Sequence, residues 1–382
     1  MNLTILLDYN RATRENYISE NVSEKKIDSS KISLLPLVSK GANVNFFLTF
    51  KLSGWRQWIQ KRQKWNELSS LHHMKLYIFD DNLIISGSNL SDTYFTNRQD
   101  RYILLRNSPR ICDYFDQLIQ TVSKFSMNLK QDGHFSLHSE WKYDPRRYFH
   151  QSMFQKCARH EILKLNQQFS LENPNLNGTD TFVFPLLQMN SIGIKDEENF
   201  TSSLLQSLPP QSLLHMATGY FNLTKKYQTI LINQSKTIPI SILMASEEAN
   251  GFFNGNGILQ YIPLIYTHYV KNFFKQMSQP TDISIWYYNR VAWSFHAKGI
   301  WLFHPYFFMT IVGSTNFGYR SVYRDNEAQI VILSKNKQLE RMFMEEYQYL
   351  ISNSRPLINQ NDHLPQVPFW VSCVATFFRS YF

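Results

Sequence analysis

One short string, written twice, limits what this chain can fold into more than any other feature of its 382 residues. His73-Met74-Lys75-Leu76-Tyr77-Ile78-Phe79-Asp80 leads into Ser86-Gly87-Ser88-Asn89, and His296-Ala297-Lys298-Gly299-Ile300-Trp301-Leu302 leads into Gly313-Ser314-Thr315-Asn316. Residues two apart on a strand share a face, so His73 with Lys75 and His296 with Lys298 each present an imidazole and an ammonium together. A single such pair is usually no more than the wet face of a strand. Here the tails match as well. Asp100 lies 11 residues past Asn89 and Glu327 lies 11 past Asn316, and each acid opens an apolar run. A helix-patterned segment begins 12 residues after each acid, at Cys112 and at Leu339. The spacing predicts an internal repeat of two like α/β units.

The pairing suits phosphate chemistry. A neutral imidazole can attack phosphorus while an ammonium and an asparagine amide donate hydrogen bonds to the oxygens on which charge builds. Two sets meeting at one interface would supply a nucleophile and a separate proton-handling group. Asp100 and Glu327 would fix imidazole tautomers. His72, His73, His296 and His304 have no cysteine or carboxylate neighbours at zinc spacing, so no metal or other cofactor is expected. His72 and His304 read as ordinary polar residues.

The duplicated H-x-K-x4-D with its trailing G-S-x-N resembles the phospholipase D superfamily. The blocks Asn89 to Tyr102, Ala217 to Thr224 and Gly313 to Ser321 are similar to the eukaryotic phosphatidylglycerophosphate synthases within it. The resemblance implies two phospholipase D-like domains, each a mixed sheet flanked by helices, with a shared active site. It implies transfer of a phosphatidyl group from CDP-diacylglycerol to glycerol 3-phosphate through a phosphohistidine. His73 would be the nucleophile, His296 the acid/base, and Lys75, Lys298 and Asp80 catalytic companions. Asn89, Asn316, Asp100, Glu327 and Arg98 would bind or orient phosphate, with Arg98 assigned to the acceptor's own phosphate and Arg320 and Arg324 as further anion-binding candidates. Position 303, the counterpart of Asp80, is a phenylalanine, which breaks the symmetry of the aspartate. The alternative is a phosphodiesterase or nuclease of the same superfamily.

Composition sets the remaining bounds. With 43% hydrophobic residues the chain can bury a large core, and its formal charge of +9 favours anionic partners. Cys112, Cys157 and Cys373 are too scattered for a disulfide framework and read as buried thiols. No apolar run is long enough to span a bilayer. The aromatic tail Pro368 to Phe382 suits either a peripheral membrane surface or packing onto its own domain, and the basic, tryptophan-rich stretch Trp55 to Leu71 either an anionic lipid surface or a solvated helix face with buried tryptophans, with no nucleic acid expected. Residues 1–127 are expected to form the first domain, 128–196 a polar connection and 197–382 the second domain. Asn10 to Lys31 reads as a loop or frayed helix. The strand Leu3 to Asp8 corresponds to Ile240 to Met244, which a helix and the strand Leu213 to Tyr220 precede, so the first domain is expected to be incomplete at its start. The resemblance implies the matrix side of the mitochondrial inner membrane, although Met1 to Asp8 does not read as an import signal.

Overall fold

The computed structural model describes residues 3–14, 16–19, 25–49, 70–170, 178–277, 281–357 and 364–382. Most of the Trp55 to Leu71 stretch lies outside the described residues. The second half is built on a nine-stranded sheet in the order Ile194–Lys195, Thr181–Met189, Asn326–Ser334, Phe307–Gly313, Gly299–His304, Leu213–Thr218, Ile240–Ala245, Ile283–Tyr288 and Ser354–Leu357. Its central strands Leu213–Thr218, Ile240–Ala245 and Ile283–Tyr288 run parallel, joined by crossovers through the helices Lys225–Gln234 and Ile262–Gln276. Helices on both faces explain why these strands read as continuous apolar runs rather than alternating ones. Thr224 and Asn336 cap the helices Lys225–Gln234 and Lys337–Ser352 by accepting backbone N–H bonds from the first turn.

The first half has the same strands in two pieces. Leu76–Phe79, Asn82–Ser86 and Tyr102–Leu105 form one antiparallel sheet; Thr4–Asp8, Asn43–Phe47, Met127–Leu129 and Phe135–Leu137 form another. In the second half the equivalents of Leu76–Phe79 and Thr4–Asp8 sit on either side of Leu213–Thr218. Among the described residues no strand fills that place in the first half. Exposure records the split. Ile240 to Met244 are all buried, whereas Thr4 to Leu7 are only half-buried and Phe79 is exposed.

The connecting stretch is not a tether. Its helix Gln151–Ser170 buries Phe154, Ala158, Ile162 and Leu165, and its strand Thr181–Met189 pairs antiparallel with Asn326–Ser334 along nine residues. The stretch expected as a loop or frayed helix instead holds a helical turn, Tyr9–Ala12, and a hairpin of Asn16–Ser19 with Lys25–Asp28. One hydrophobic cluster takes Leu83, Ile85, Phe115 and Leu118 from the first half, Phe154 from the connection and Trp301 and Ile330 from the second. Arg101 braces the same junction. Its guanidinium bonds both Glu346 oxygens, at 2.9 and 2.8 Å, and lies 3.8 Å over the Trp301 ring. Of the thiols Cys112 is buried and Cys157 and Cys373 are half-buried, all three free. No described helix is long and apolar enough to cross a membrane.

Candidate active site

Two short pairings between the halves create the site. The segment at His72 bridges in parallel to Asn326, with the His73 N–H donating to the Asn326 carbonyl at 2.8 Å and the Asn326 N–H to that of Leu71 at 2.8 Å. Equivalently, Ser294–Phe295 pairs in parallel with Arg98–Gln99, and the His296 N–H donates to the Gln99 carbonyl at 2.8 Å. Each pairing delivers a histidine of one half to the acid of the other. His73 Nδ1 lies 2.9 Å from Glu327 Oε2, and His296 Nδ1 lies 2.6 Å from Asp100 Oδ2. The halves therefore exchange their acids, and neither site is complete without the other.

The lysines sit beneath these pairs. Lys75 Nζ donates to the His73 carbonyl at 2.6 Å, and Lys298 Nζ lies 2.7 Å from His296 Nδ1 and 3.8 Å from Asp100 Oδ2. One Nδ1 proton cannot serve both partners. The carboxylate takes it, and the ammonium is held against the ring by Asp100 and by the Gly87 carbonyl at 3.4 Å. Gly87 is needed for this approach, since a Cβ there would fall 2.7 Å from Lys298 Nζ and 2.8 Å from Asp100 Oδ1.

Both lysines and both histidines of these pairs are buried. Burial, then the charge of Lys75, pushes the His73 pKa well below the ordinary imidazole value; burial and Lys298 push that of His296 down to about 3. Both rings are therefore neutral at pH 7. Burial also holds Lys75 and Lys298 below the ordinary lysine value, against the opposing pull of Glu327 and Asp100. For Asp100 burial acts upward, but Lys298 and His296 outweigh it and hold the carboxyl low; for Glu327 burial wins and the carboxyl is raised. Each histidine also feels the lysine of the opposite half, as expected of a shared site.

The remaining expected residues divide. Asn89 donates from Nδ2 to Tyr94 Oη at 3.2 Å, and the Asn316 side-chain oxygen is buried without a hydrogen-bond partner among the described residues. Arg98 donates from Nε to Ser294 Oγ at 2.9 Å and stacks 4.8 Å over the Tyr94 ring. Asp80 is not brought to the site. The strand Leu76–Phe79 carries it away from His73 into the hairpin turn before Asn82, where it is exposed with φ 51°. Arg320 and Arg324 are not site residues either. Arg320 pairs with Asp325 at 2.9 Å and donates to the Tyr381 carbonyl, while Arg324 stacks on Tyr381 and donates to Ser380 Oγ. His73, Asp325 and Glu327 bring three donor atoms within 4.8 Å of one another, the spacing of a metal site. Those donors already have work. Glu327 holds His73, and Asp325 accepts the Leu71 N–H at 2.8 Å and pairs with Arg320.

Two neighbours of these pairs escape sequence reasoning. Tyr94 places Oη 3.4 Å from His296 Nε2, and Asp8 takes the His72 N–H at 2.9 Å, anchoring the segment that carries His73. The repeat hides Tyr94, because the matching position in the second copy is Ser321. Asp8 shows only as a strand-ending acid.

No family model matches the chain. It is 33% identical over 415 residues to the mitochondrial CDP-diacylglycerol–glycerol-3-phosphate 3-phosphatidyltransferase of Gallus gallus, covering 100% of this chain and 72% of the relative. The enzyme of the same name from Homo sapiens is 32% identical over 414 residues, with the same coverage. Among solved structures, the phosphatidylserine synthase of Haemophilus influenzae superposes with a TM-score of 0.68 at 16% identity, covering 99% of this chain and 80% of that one, which shows a shared fold. The fold is thus the one that this synthase has, a mixed α/β architecture. With similarity running the whole length of the chain and through both histidine motifs, the chain belongs to the CDP-diacylglycerol–glycerol-3-phosphate 3-phosphatidyltransferase family.

Proposed function

We propose that this protein makes phosphatidylglycerophosphate and CMP from CDP-diacylglycerol and glycerol 3-phosphate, through a phosphatidyl group carried on His73. The reciprocal pairing of His73 with Glu327 and His296 with Asp100 carries the reading, because it fixes each imidazole by an acid of the opposite half and so brings both to the seam between the halves. In the first step the Nε2 lone pair of neutral His73 forms the P–N bond as the P–O bond to CMP breaks. Glu327 keeps the ring's proton on Nδ1, and Lys75 and Lys298 stabilise the charge on the phosphoryl oxygens without a metal ion. CMP leaves as a phosphate, a weak base with a second pKa of about 6 that needs little help from an acid. In the second step a glycerol 3-phosphate hydroxyl attacks phosphorus, the P–N bond breaks, and the hydroxyl proton passes to the His296 side. The low pKa of His296 suits it to that base role more than to the acid role in the first step. Arg98, beside Tyr94 at the rim, is assigned to the acceptor's own phosphate.

Lipid substrate requires contact with a bilayer. The tail helix Phe369–Phe377 buries Val371 and Ala375 and leaves Phe369 and Phe377 more than 80% exposed, a face suited to the membrane interface. The matched relatives are named mitochondrial, and the same compartment is proposed here. Incubation with CDP-diacylglycerol and labelled glycerol 3-phosphate tests the reading beside a single-stranded DNA control. Lipid-linked label with intact DNA is expected. Cleaved DNA without lipid product would replace the transferase with a nuclease. The His73→Asn variant should trap no phosphatidyl-enzyme, and an adduct on His296 would reverse the assignment.

A further inference from the structure

We propose that Tyr94 is a catalytic residue, a proton relay between His296 and the acceptor hydroxyl; the proposal rests on the transferase reading above. The geometry is directional. Asp100 takes the Nδ1 proton of His296, so Nε2 is an acceptor, with the Tyr94 hydroxyl and the Lys298 ammonium each 3.4 Å away as donors; of the two only the phenol can take a proton in return as it gives one. The Asn89 amide donates in turn to the Tyr94 oxygen at 3.2 Å. The resulting chain runs Asn89, Tyr94, His296, Asp100, with the phenol oxygen standing between the asparagine of the G-S-x-N tail and the base. Tyr94 is 6% exposed, its ring is edge-on to the imidazole at 5.1 Å, and its carbonyl is held by the Tyr102 hydroxyl. Burial keeps its pKa above the ordinary phenol value, so it remains protonated at neutral pH.

The repeat shows that this arrangement is specific to one histidine. At the matching position the Ser321 oxygen accepts the Asn316 N–H at 3.1 Å and its hydroxyl bonds Glu327, and no hydrogen bond engages His73 Nε2 among the described residues. One imidazole is left open for phosphorus; the other is wired through a phenol. In the second step the acceptor hydroxyl gives its proton to the Tyr94 oxygen while the Tyr94 proton moves to His296 Nε2. The acceptor oxygen forms its bond to phosphorus, the P–N electrons return to His73, and His296 later releases the proton to water. The phenol ends as it began, and atoms and charges balance.

The relay serves proton removal, so it acts on the second step and hardly on the first. Rapid-quench experiments in mixed micelles would time two events: formation of the His73 adduct from CDP-diacylglycerol, and its decay on adding glycerol 3-phosphate. Tyr94→Phe keeps the ring and removes the hydroxyl. Formation is expected within about threefold of the parent and decay about 100-fold slower, so that adduct accumulates. Equal slowing of both events would reduce Tyr94 to a packing role, and unchanged or faster decay would make its hydroxyl idle or a plug. A second readout needs no variant. In the parent protein, heavy water should slow decay and leave formation unchanged, and equal effects on both would overturn the relay. Failure of the parent to form any adduct would instead remove the phosphohistidine reading itself.

Discussion

Asp80→Ala should change turnover by less than about threefold, because the carboxyl stands on an exposed turn outside the site. Glu327→Gln should cost about 100-fold or more, since an amide cannot hold the Nδ1 proton of His73 in the same tautomer. Steady-state rates of the two variants, measured together, test the assignment; a larger loss in the Asp80 variant would invert it. The lysines set a pH limit. Their pKa values lie below the ordinary lysine value, and only their charged forms stabilise the phosphoryl oxygens. Activity should therefore fall as pH rises through these lowered values, at less alkaline pH than an exposed lysine would give. A rate profile flat to pH 10.5 would contradict it. Both His-Lys pairs are legible in the sequence from their repetition, although neither lies on a strand as the two-residue period suggests: the strands begin only at Leu76 and Gly299. Which acid meets which histidine is not legible, since spacing along one chain carries no information about exchange between two halves. Tyr94 is invisible for a related reason: the second copy carries a serine, Ser321, at that position, so no repeated residue marks it.

The loop between strand and asparagine is as decisive as the side chains. Gly87→Ala would force Lys298 or Asp100 to move by several tenths of an ångström or more, so activity should collapse while the melting temperature changes little. Loss of both together would instead mean that the loop is a folding element. Arg101→Ala, by contrast, should act on stability. It removes the two bonds to Glu346 and the stacking on Trp301, and a loss of about 3 kcal/mol in denaturant unfolding is expected. At this scale the helices Pro109–Lys124 and Lys337–Ser352 were readable from their apolar period, and the sheet strands from their runs. The hairpin Asn16–Ser19 with Lys25–Asp28 was not, because its residues are too polar to show an alternation. The place of Thr181–Met189 in the large sheet is not legible either, since pairing with a strand some 150 residues away leaves no trace in composition.

At the scale of the whole molecule, one buried acid makes stability depend on pH. Glu197 is fully buried, and burial pushes its pKa to about 8, so the folded protein keeps a proton that the unfolded chain gives up from pH 4.5. Between those values stability falls with rising pH, by up to about 1.4 kcal/mol per unit. Glu197→Gln should remove that slope; melting curves from pH 5 to 8 that stay parallel to the parent's would refute it. The split sheet of the first half has a different outcome. Thr4–Asp8 and Leu76–Phe79 each present a row of backbone donors and acceptors with no strand alongside among the described residues. Such edges are templates: they recruit any extended chain of suitable pattern, including the strand of a neighbouring molecule. Concentrated solutions should therefore form strand-exchanged oligomers. A synthetic peptide copying Leu213–Thr218 should suppress them and raise the melting temperature, and sedimentation unchanged by either concentration or peptide would show the edges to be inert.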